Sequence, residues 1–117
     1  MKTMKKKFLV LYKAPVAEFA KAMANSDAEQ MKEGMAEWAT WMEKNKSALS
    51  DWGAPVGKTK QVTPSGVTDI KNDIGGYSIV EADSHAAAAE LMMSSPHFKG
   101  MDKATVEVME IMEMPKM

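Results

Sequence analysis

The segment 75–114 constrains the fold of this chain more than any other part of the sequence. Two glycines at its start precede residues 77–82, where tyrosine, isoleucine and valine predict a β-strand. Ser84 has the position of an N-cap for an alanine-rich helix, which must end shortly before Pro96 because proline lacks a backbone donor. Residues 105–112 return to the alternation of a strand. The segment therefore predicts a β-α-β unit.

A strand at residues 7–13 opens the first half, after a basic terminus at residues 1–6 that we expect to be mobile. Both faces of this strand are apolar, which is typical of a central strand buried on two sides. Helices can cover one face. In a chain of 117 residues, we expect a second copy of the chain to cover the other. A short helix is predicted over residues 15–24, beginning at a proline that a first turn tolerates.

A long amphipathic helix is predicted from residue 26 to about residue 49. Ser26 and Glu29 have the spacing of a capping box, in which each side chain bonds the backbone N–H of the other residue. Apolar side chains recur on one face of this helix at a spacing of three or four residues. The predicted apolar face contains Met31, Met35, Trp38, Met42 and Leu49, with Trp41 at its edge.

The middle of the chain predicts two further strands. Residues 53–55 break the long helix, and residues 57–63 alternate weakly as a strand. Residues 63–66 have the proline and glycine of a turn, so residues 67–70 can pair back across it. Together the two halves predict a βαββαβ order, which is an antiparallel, ferredoxin-like α+β fold.

The composition limits the class of protein. The length predicts one domain over residues 1–117. A net charge of −1 provides no general attraction for nucleic acid or for an anionic membrane. No apolar run is long enough to span a bilayer. The absence of cysteine excludes disulfides, thiolate metal sites and cysteine nucleophiles, and we expect a cytoplasmic protein.

Three stretches of the second half resemble one known protein family. They are GGYSIVEADS at residues 75–84, SPHF at residues 95–98 and VEVMEIM at residues 106–112. The family is that of the YCII-related proteins, in particular its DGPF group, and the similarity extends over residues 5–114. The resemblance implies a dimeric α/β barrel, in which two ferredoxin-like sheets pack face to face in a homodimer and each protomer has a pocket.

The resemblance also implies something about chemistry. A histidine–aspartate pair is the proposed site of the family, and one branch removes chloride from hydroxylated aromatic rings. In this chain the family histidine corresponds to Glu37, the aspartate before the proline corresponds to Ser95, and the DGPF tetrapeptide is absent. The pair therefore does not transfer, and His97 is the remaining substitute.

His97 is accordingly the candidate catalytic residue. It follows Pro96 on a loop, where functional residues are common, and histidine titrates near neutral pH. It can act as a general base, as a general acid or as a donor to an anionic ligand. The alternative is a partly buried imidazole that bonds only the backbone. His85 follows the N-cap, and we expect it to be exposed and to have no functional role.

The candidate substrate-binding residues are mostly aromatic. Rings that line a pocket and rings that fill a core look alike in a sequence, so both interpretations stay open for the tryptophans. Glu18 is a further possible lining residue. Two separated histidines and no suitably spaced carboxylate cluster predict that the chain has no metal site, and we expect no cofactor. The substrate-binding set is Tyr12, Trp38, Trp41 and Ser95.

Three functions stay open for the predicted small-molecule pocket. The first is a cofactor-free lyase, isomerase or dehalogenase-like enzyme that acts on a cyclic or aromatic compound, with His97 in proton transfer. The second is a protein that binds a small molecule without catalysis. The third is a cofactor-free monooxygenase, since related barrels host that chemistry. A His97 nitrogen that faces a cavity beside a carboxylate or tyrosine favours catalysis, whereas a ring that bonds only the backbone favours binding.

Overall fold

The computed structural model of the protein describes residues 6–17, 21, 24, 27–98 and 103–112. Four residues of the predicted first helix, Val16, Ala17, Lys21 and Ala24, have helical backbone, whereas Pro15 does not, and the other five lie outside the described residues. Neither of the two helices with described bounds combines the length and apolar character that crossing a bilayer requires. The elements are β1 (Lys6–Lys13), α1 (Ala28–Lys44), β2 (Leu49–Pro55), β3 (Thr59–Thr63), β4 (Gly66–Ile70), β5 (Ile74–Ala82), α2 (His85–Met92), a 3-10 helix (Pro96–Phe98) and β6 (Thr105–Glu110).

Four of the strands form one antiparallel sheet in the order β2-β5-β1-β6. Strand β1 lies in the interior of this sheet and pairs with β5 on one side and with β6 on the other. The chain order β1-α1-β2-β5-α2-β6 is the βαββαβ order that the sequence predicts. The protein is therefore an α+β protein with a ferredoxin-like fold. Lys6, which the sequence placed in the basic terminus, begins β1, and residues 1–5 lie outside the described part.

Strands β3 and β4 follow β2 and precede β5 in the chain, and they form a separate two-stranded sheet. The predicted turn at residues 63–66 and the return of residues 67–70 are confirmed, because Thr63 pairs with Gly66 and Thr59 with Ile70. The strand predicted over residues 57–63 corresponds to β3, but it does not belong to the main sheet. The second strand of the main sheet is β2, which contains residues 53–55, where the sequence predicts only the end of the long helix.

Helix α1 begins one residue later than the sequence predicts. Asp27, not Ser26, is the N-cap: its Oδ1 accepts a hydrogen bond from the Gln30 backbone N–H at 2.8 Å. The Gln30 side chain accepts the Asp27 backbone N–H at 3.1 Å, which completes a capping box. Aspartate is as strong an N-cap as serine, and glutamine serves in the returning bond as well as glutamate. The predicted box at Ser26 and Glu29 is therefore displaced by one position.

Helix α1 also ends earlier than predicted, at Lys44. Asn45 is its C-cap and donates twice to the carbonyl oxygen of Trp41, from its side chain at 2.8 Å and from its backbone N–H at 3.1 Å. A turn over residues 45–48 follows. Leu49 therefore belongs to β2, where it is buried in the core, and not to the apolar face of the helix.

The hydrophobic core lies between one face of the sheet and the helices. On α1 the buried residue is Trp41, at 7% exposure, whereas Met35 is 73% exposed. Trp38 and Met42 pack against the core, so α1 contacts it through its second half. The predicted apolar face is for this reason only partly buried. The core residues are Phe8, Val10, Tyr12, Trp41, Leu49, Val80, Ala88 and Met92.

Candidate functional site

A cavity of about 460 Å³ lies between the inner face of the sheet and α1. Its wall is mostly apolar and includes no charged side chain among the described residues. The size and the apolar wall are typical of a site for a small organic molecule. Side chains from five elements meet there, and those used below are Tyr12 of β1, Trp38 of α1, Trp52 of β2, Ser78 of β5 and His97 of the 3-10 helix.

An irregularity in β2 forms one side of the cavity. The pairing of β2 with β5 shifts register between Asp51 and Ala54, so the two residues between them have no partner in the ladder. Gly53 has φ of +75°, and a β-carbon there would collide with the carbonyl oxygen of Tyr77. Asp51 Oδ1 accepts the Gly53 N–H at 2.8 Å. The bulge turns the Trp52 carbonyl towards Ser78, whose hydroxyl donates to it at 3.0 Å.

Tyr12 and Ser78 form the polar part of the cavity wall. Both are buried, and the two hydroxyl oxygens are 2.9 Å apart. Burial raises the pKa of Tyr12 above its ordinary value because the phenolate would lose hydration. Tyr12 is therefore a neutral phenol at physiological pH. It can exchange hydrogen bonds with a ligand, but it is not a general base.

His97 is 6% exposed and also lines the cavity. Its Nε2 lies 2.8 Å from the carbonyl oxygen of Lys13. Because a carbonyl can only accept, Nε2 carries the proton, and the Nδ1 of the neutral ring keeps a lone pair. The imidazole meets the Tyr12 ring at a centroid distance of 5.5 Å. No described carboxylate bonds the ring, so its orienting partner is the backbone.

The end of β1 that holds His97 is itself fixed in place. Lys13 Nζ lies 2.9 Å from Glu107 Oε2 and 3.5 Å from Asp73 Oδ2. The hydrogen bond with Glu107, helped by the charge of Asp73, raises the pKa of the Lys13 ammonium. Ala14 N–H donates to the Asp73 carbonyl at 2.9 Å. The Lys13 carbonyl that accepts from His97 is thus fixed in position by the ion pairs of the Lys13 side chain and by the backbone hydrogen bond of Ala14.

Three of the predicted site residues line the cavity together and two do not. Trp38 meets the Tyr12 ring edge-on at 5.1 Å, and His97 contacts the same tyrosine. Trp41 instead belongs to the core, and its Nε1–H donates to Ser94 Oγ at 2.9 Å. Ser95 is buried away from the lining, and its Oγ is the one fully buried side-chain polar atom without a partner among the described residues. Glu18 lies outside the described residues.

Ser78 and Trp52 are cavity residues that the sequence did not single out. A signal for Ser78 existed: it is a small polar residue on the same side of its strand as the buried Val80. A buried hydroxyl requires a partner, which marks such a position for attention. Trp52 had no comparable signal, because its place depends on the bulge beside Gly53.

His85 is exposed as predicted but has more contacts than expected. Its Nε2 lies 2.7 Å from the carbonyl oxygen of Val108, and its ring stacks on Phe8 at a centroid distance of 5.2 Å. It therefore joins α2 to the edge strand β6, away from the cavity. Over the described residues, no cluster of three or more histidine or acidic side chains could hold a metal ion.

Comparisons with known proteins identify the fold. No protein-family model matches the chain, and no curated protein matches it. Among solved structures, the chain is similar to 5-chloro-2-hydroxyhydroquinone dehydrochlorinase from Burkholderia phenoliruptrix AC1100, in a complex with 2,5-dihydroxybenzoquinone. The TM-score is 0.50 at 19% sequence identity, over 86% of this chain and 90% of that one. An identity this low shows a shared fold and nothing finer.

Proposed function

We propose that the cavity binds a small cyclic or aromatic compound and that His97 transfers a proton there, in an elimination or isomerisation without a cofactor. The observation that carries the proposal is the state of His97. It lines an apolar cavity, its Nε2–H is held by the Lys13 carbonyl, and its Nδ1, which has no partner among the described residues, is left as a base. A general base needs this combination of fixed orientation and a free lone pair.

The wall of the cavity suits a flat ring. Tyr12, Trp38 and His97 bring three ring systems to one side of the cavity, with edge-on contacts that leave their other surfaces for a ligand. The dehydrochlorinase that shares the fold is named for a chlorinated hydroquinone and was solved with a dihydroxybenzoquinone. This neighbour supports a ring compound as the ligand of the present cavity.

In the proposed reaction, Nδ1 removes a proton from the bound ring, and the electron pair left behind expels a leaving group or shifts a double bond. The imidazolium that forms keeps its Nε2–H bond to the Lys13 carbonyl, which is stronger for a charged donor. A backbone carbonyl thus has the orienting role that a carboxylate has in a catalytic triad. The proton then passes to the leaving group, to another ring carbon or to water.

The alternative is a binding protein without catalysis, and one observation favours it. The hydrogen bond of the His97 ring goes to the backbone, and no described carboxylate assists it. A carbonyl stabilises the imidazolium less than a carboxylate does, because it has no net charge. The same ring could then serve only to bind a ligand.

The turnover of a His97→Gln variant distinguishes catalysis from binding without catalysis. The glutamine amide can still donate to the Lys13 carbonyl but has no basic nitrogen. Ring compounds that bind the wild-type protein, detected by ligand-observed NMR, are incubated with it and followed by mass spectrometry. We expect His97→Gln to lose about 100-fold or more in turnover while ligand affinity changes little. His85→Gln, on the surface, is the matched control and keeps full activity. If ligands bind but the wild-type protein converts none of them, the catalytic proposal is wrong and the protein is a binding protein.

We also propose that the chain is a YCII-related protein and a homodimer. The three sequence stretches described above and the ferredoxin-like fold shared with the dehydrochlorinase support membership. The homodimer is supported by the sheet face opposite the core. There Leu9 and Ile79 lie opposite each other in β1 and β5 and are only half-buried, and Met109 of β6, opposite Leu9, is exposed.

A further inference from the structure

The direction of the hydrogen bonds at Ser78 determines what Tyr12 offers to a ligand. Ser78 has one hydroxyl proton, and the Trp52 carbonyl, which can only accept, takes it at 3.0 Å. The Ser78 oxygen must therefore accept in its other bond, and the Tyr12 hydroxyl must be the donor across 2.9 Å. Since a phenol also has one proton, Tyr12 has only oxygen lone pairs left for the cavity.

His97 has the same polarity. Its Nε2–H is committed to the Lys13 carbonyl, so its neutral ring offers the Nδ1 lone pair. Trp38 and Trp52 also line the cavity, and neither indole N–H is hydrogen-bonded to Tyr12, Ser78 or His97 among the described residues. The site formed by Tyr12, Ser78 and His97, which we call the polar pole, thus accepts hydrogen bonds and does not donate them.

The polar pole excludes some ligand classes. An anion such as a carboxylate or phosphate needs donors or positive charge, and no described lysine, arginine or other charged side chain lines the cavity. A ring whose polar group is a carbonyl or an ether would place its oxygen against the lone pairs of Tyr12 and His97. A neutral ring with a hydroxyl or N–H group has the complementary proton.

We infer that the cavity selects a neutral ring compound that donates a hydrogen bond, and that Ser78 sets this preference by fixing the direction of the Tyr12 proton. The inference rests on the proposed small-molecule function and specifies the ligand class for it. Ser78 need not touch the ligand. It is a positioning residue, and its removal would free the Tyr12 hydroxyl to rotate and donate into the cavity.

The test compares three probes of similar size: 4-methylphenol, its methyl ether 4-methylanisole, and acetophenone. Dissociation constants come from chemical-shift titrations, with shifts at the cavity residues confirming the site. We expect wild-type protein to bind the phenol about tenfold or more tightly than the ether or the ketone. In Ser78→Ala the phenol-to-ketone preference should fall several-fold, chiefly because acetophenone binds better.

The matched variant is Tyr12→Phe, which keeps the ring and removes the hydroxyl. It removes an acceptor without creating a donor, so the phenol-to-ketone preference should fall chiefly because the phenol binds more weakly. Equal wild-type affinities for phenol and ether at the cavity would overturn the inference and leave the proposed binding site standing, and so would a Ser78→Ala protein with an unchanged preference. No binding by any of the three would overturn both. The comparison of the three probes on wild-type protein tests the inference even if a variant does not fold.

Discussion

At the scale of single residues, Tyr12 has the most unusual environment in the cavity. Its hydroxyl is buried, bonded to Ser78 and close to the ring of His97. The raised pKa keeps the Tyr12 phenol neutral at physiological pH. In the proposed reaction, Tyr12 positions the ligand and His97 accepts the proton. A phenol with a lowered pKa would have allowed the opposite assignment.

The raised pKa of Tyr12 predicts a specific alkaline behaviour. The folded state favours the neutral phenol, so its contribution to stability is complete below the unfolded pKa of about 10 and is lost as the pH rises through the higher folded-state pKa. The chain has two tyrosines. In an ultraviolet absorbance titration of the folded protein, we expect a late tyrosinate step that disappears in Tyr12→Phe and survives in Tyr77→Phe. A late step that persists without Tyr12 would contradict this assignment.

At the scale of elements, the bulge in β2 shapes one wall of the cavity. Gly53 adopts a positive φ and lies against the Tyr77 carbonyl, so no other residue fits without moving the strand. The bulge that results frees the Trp52 carbonyl for Ser78. The polar pole therefore depends on a backbone feature of β2, which lies two strands away from β1, the strand whose Lys13 carbonyl holds His97.

Replacing Gly53 by alanine should destabilise the protein. The β-carbon would both strain the backbone and collide with Tyr77, and we expect a loss of at least about 2 kcal/mol in the free energy of unfolding. Denaturant unfolding measures it. Gly34→Ala is the matched control, because Gly34 lies within α1 with open space around its β-carbon position. Alanine there should raise stability by up to about 1 kcal/mol, through helix propensity. A neutral Gly53→Ala would mean that the bulge is not required.

The elements also show what the sequence could predict. The segment 75–114 was interpretable because local signals agree: the strand, the Ser84 N-cap and the end of α2 before Pro96 all follow from neighbouring residues. Strand β2 was not, because Gly53 and Pro55 are poor strand residues locally and are held by pairing with β5, which is a long-range interaction. The place of His97 on a turn was predictable. Its partner, the carbonyl of Lys13, is 84 positions away and was not.

At the scale of the whole molecule, the sheet has one face against the helices and another with no described helix on it. Leu9 and Leu11 alternate with the core residues of β1 and therefore point to the second face, together with Ile79 of β5. These apolar side chains are only half-buried. An apolar face of this kind is rarely left open to water, and in a symmetric pair a second copy of the chain would cover the face of each protomer at once.

A charge on that face should separate the proposed dimer. In size-exclusion chromatography with light scattering, we expect wild-type protein at twice the 12.9 kDa of one chain. Leu9→Lys places an ammonium opposite Ile79, where the interface would have to bury it, and should weaken association about thirtyfold or more. Val62→Lys is the matched control: Val62 is 74% exposed on the β3–β4 hairpin, outside the main sheet, and its charge should change nothing. A wild-type monomer would contradict the dimer. The proposed ligand site would not be affected, because the cavity lies on the opposite face of the sheet and is lined by residues of one chain.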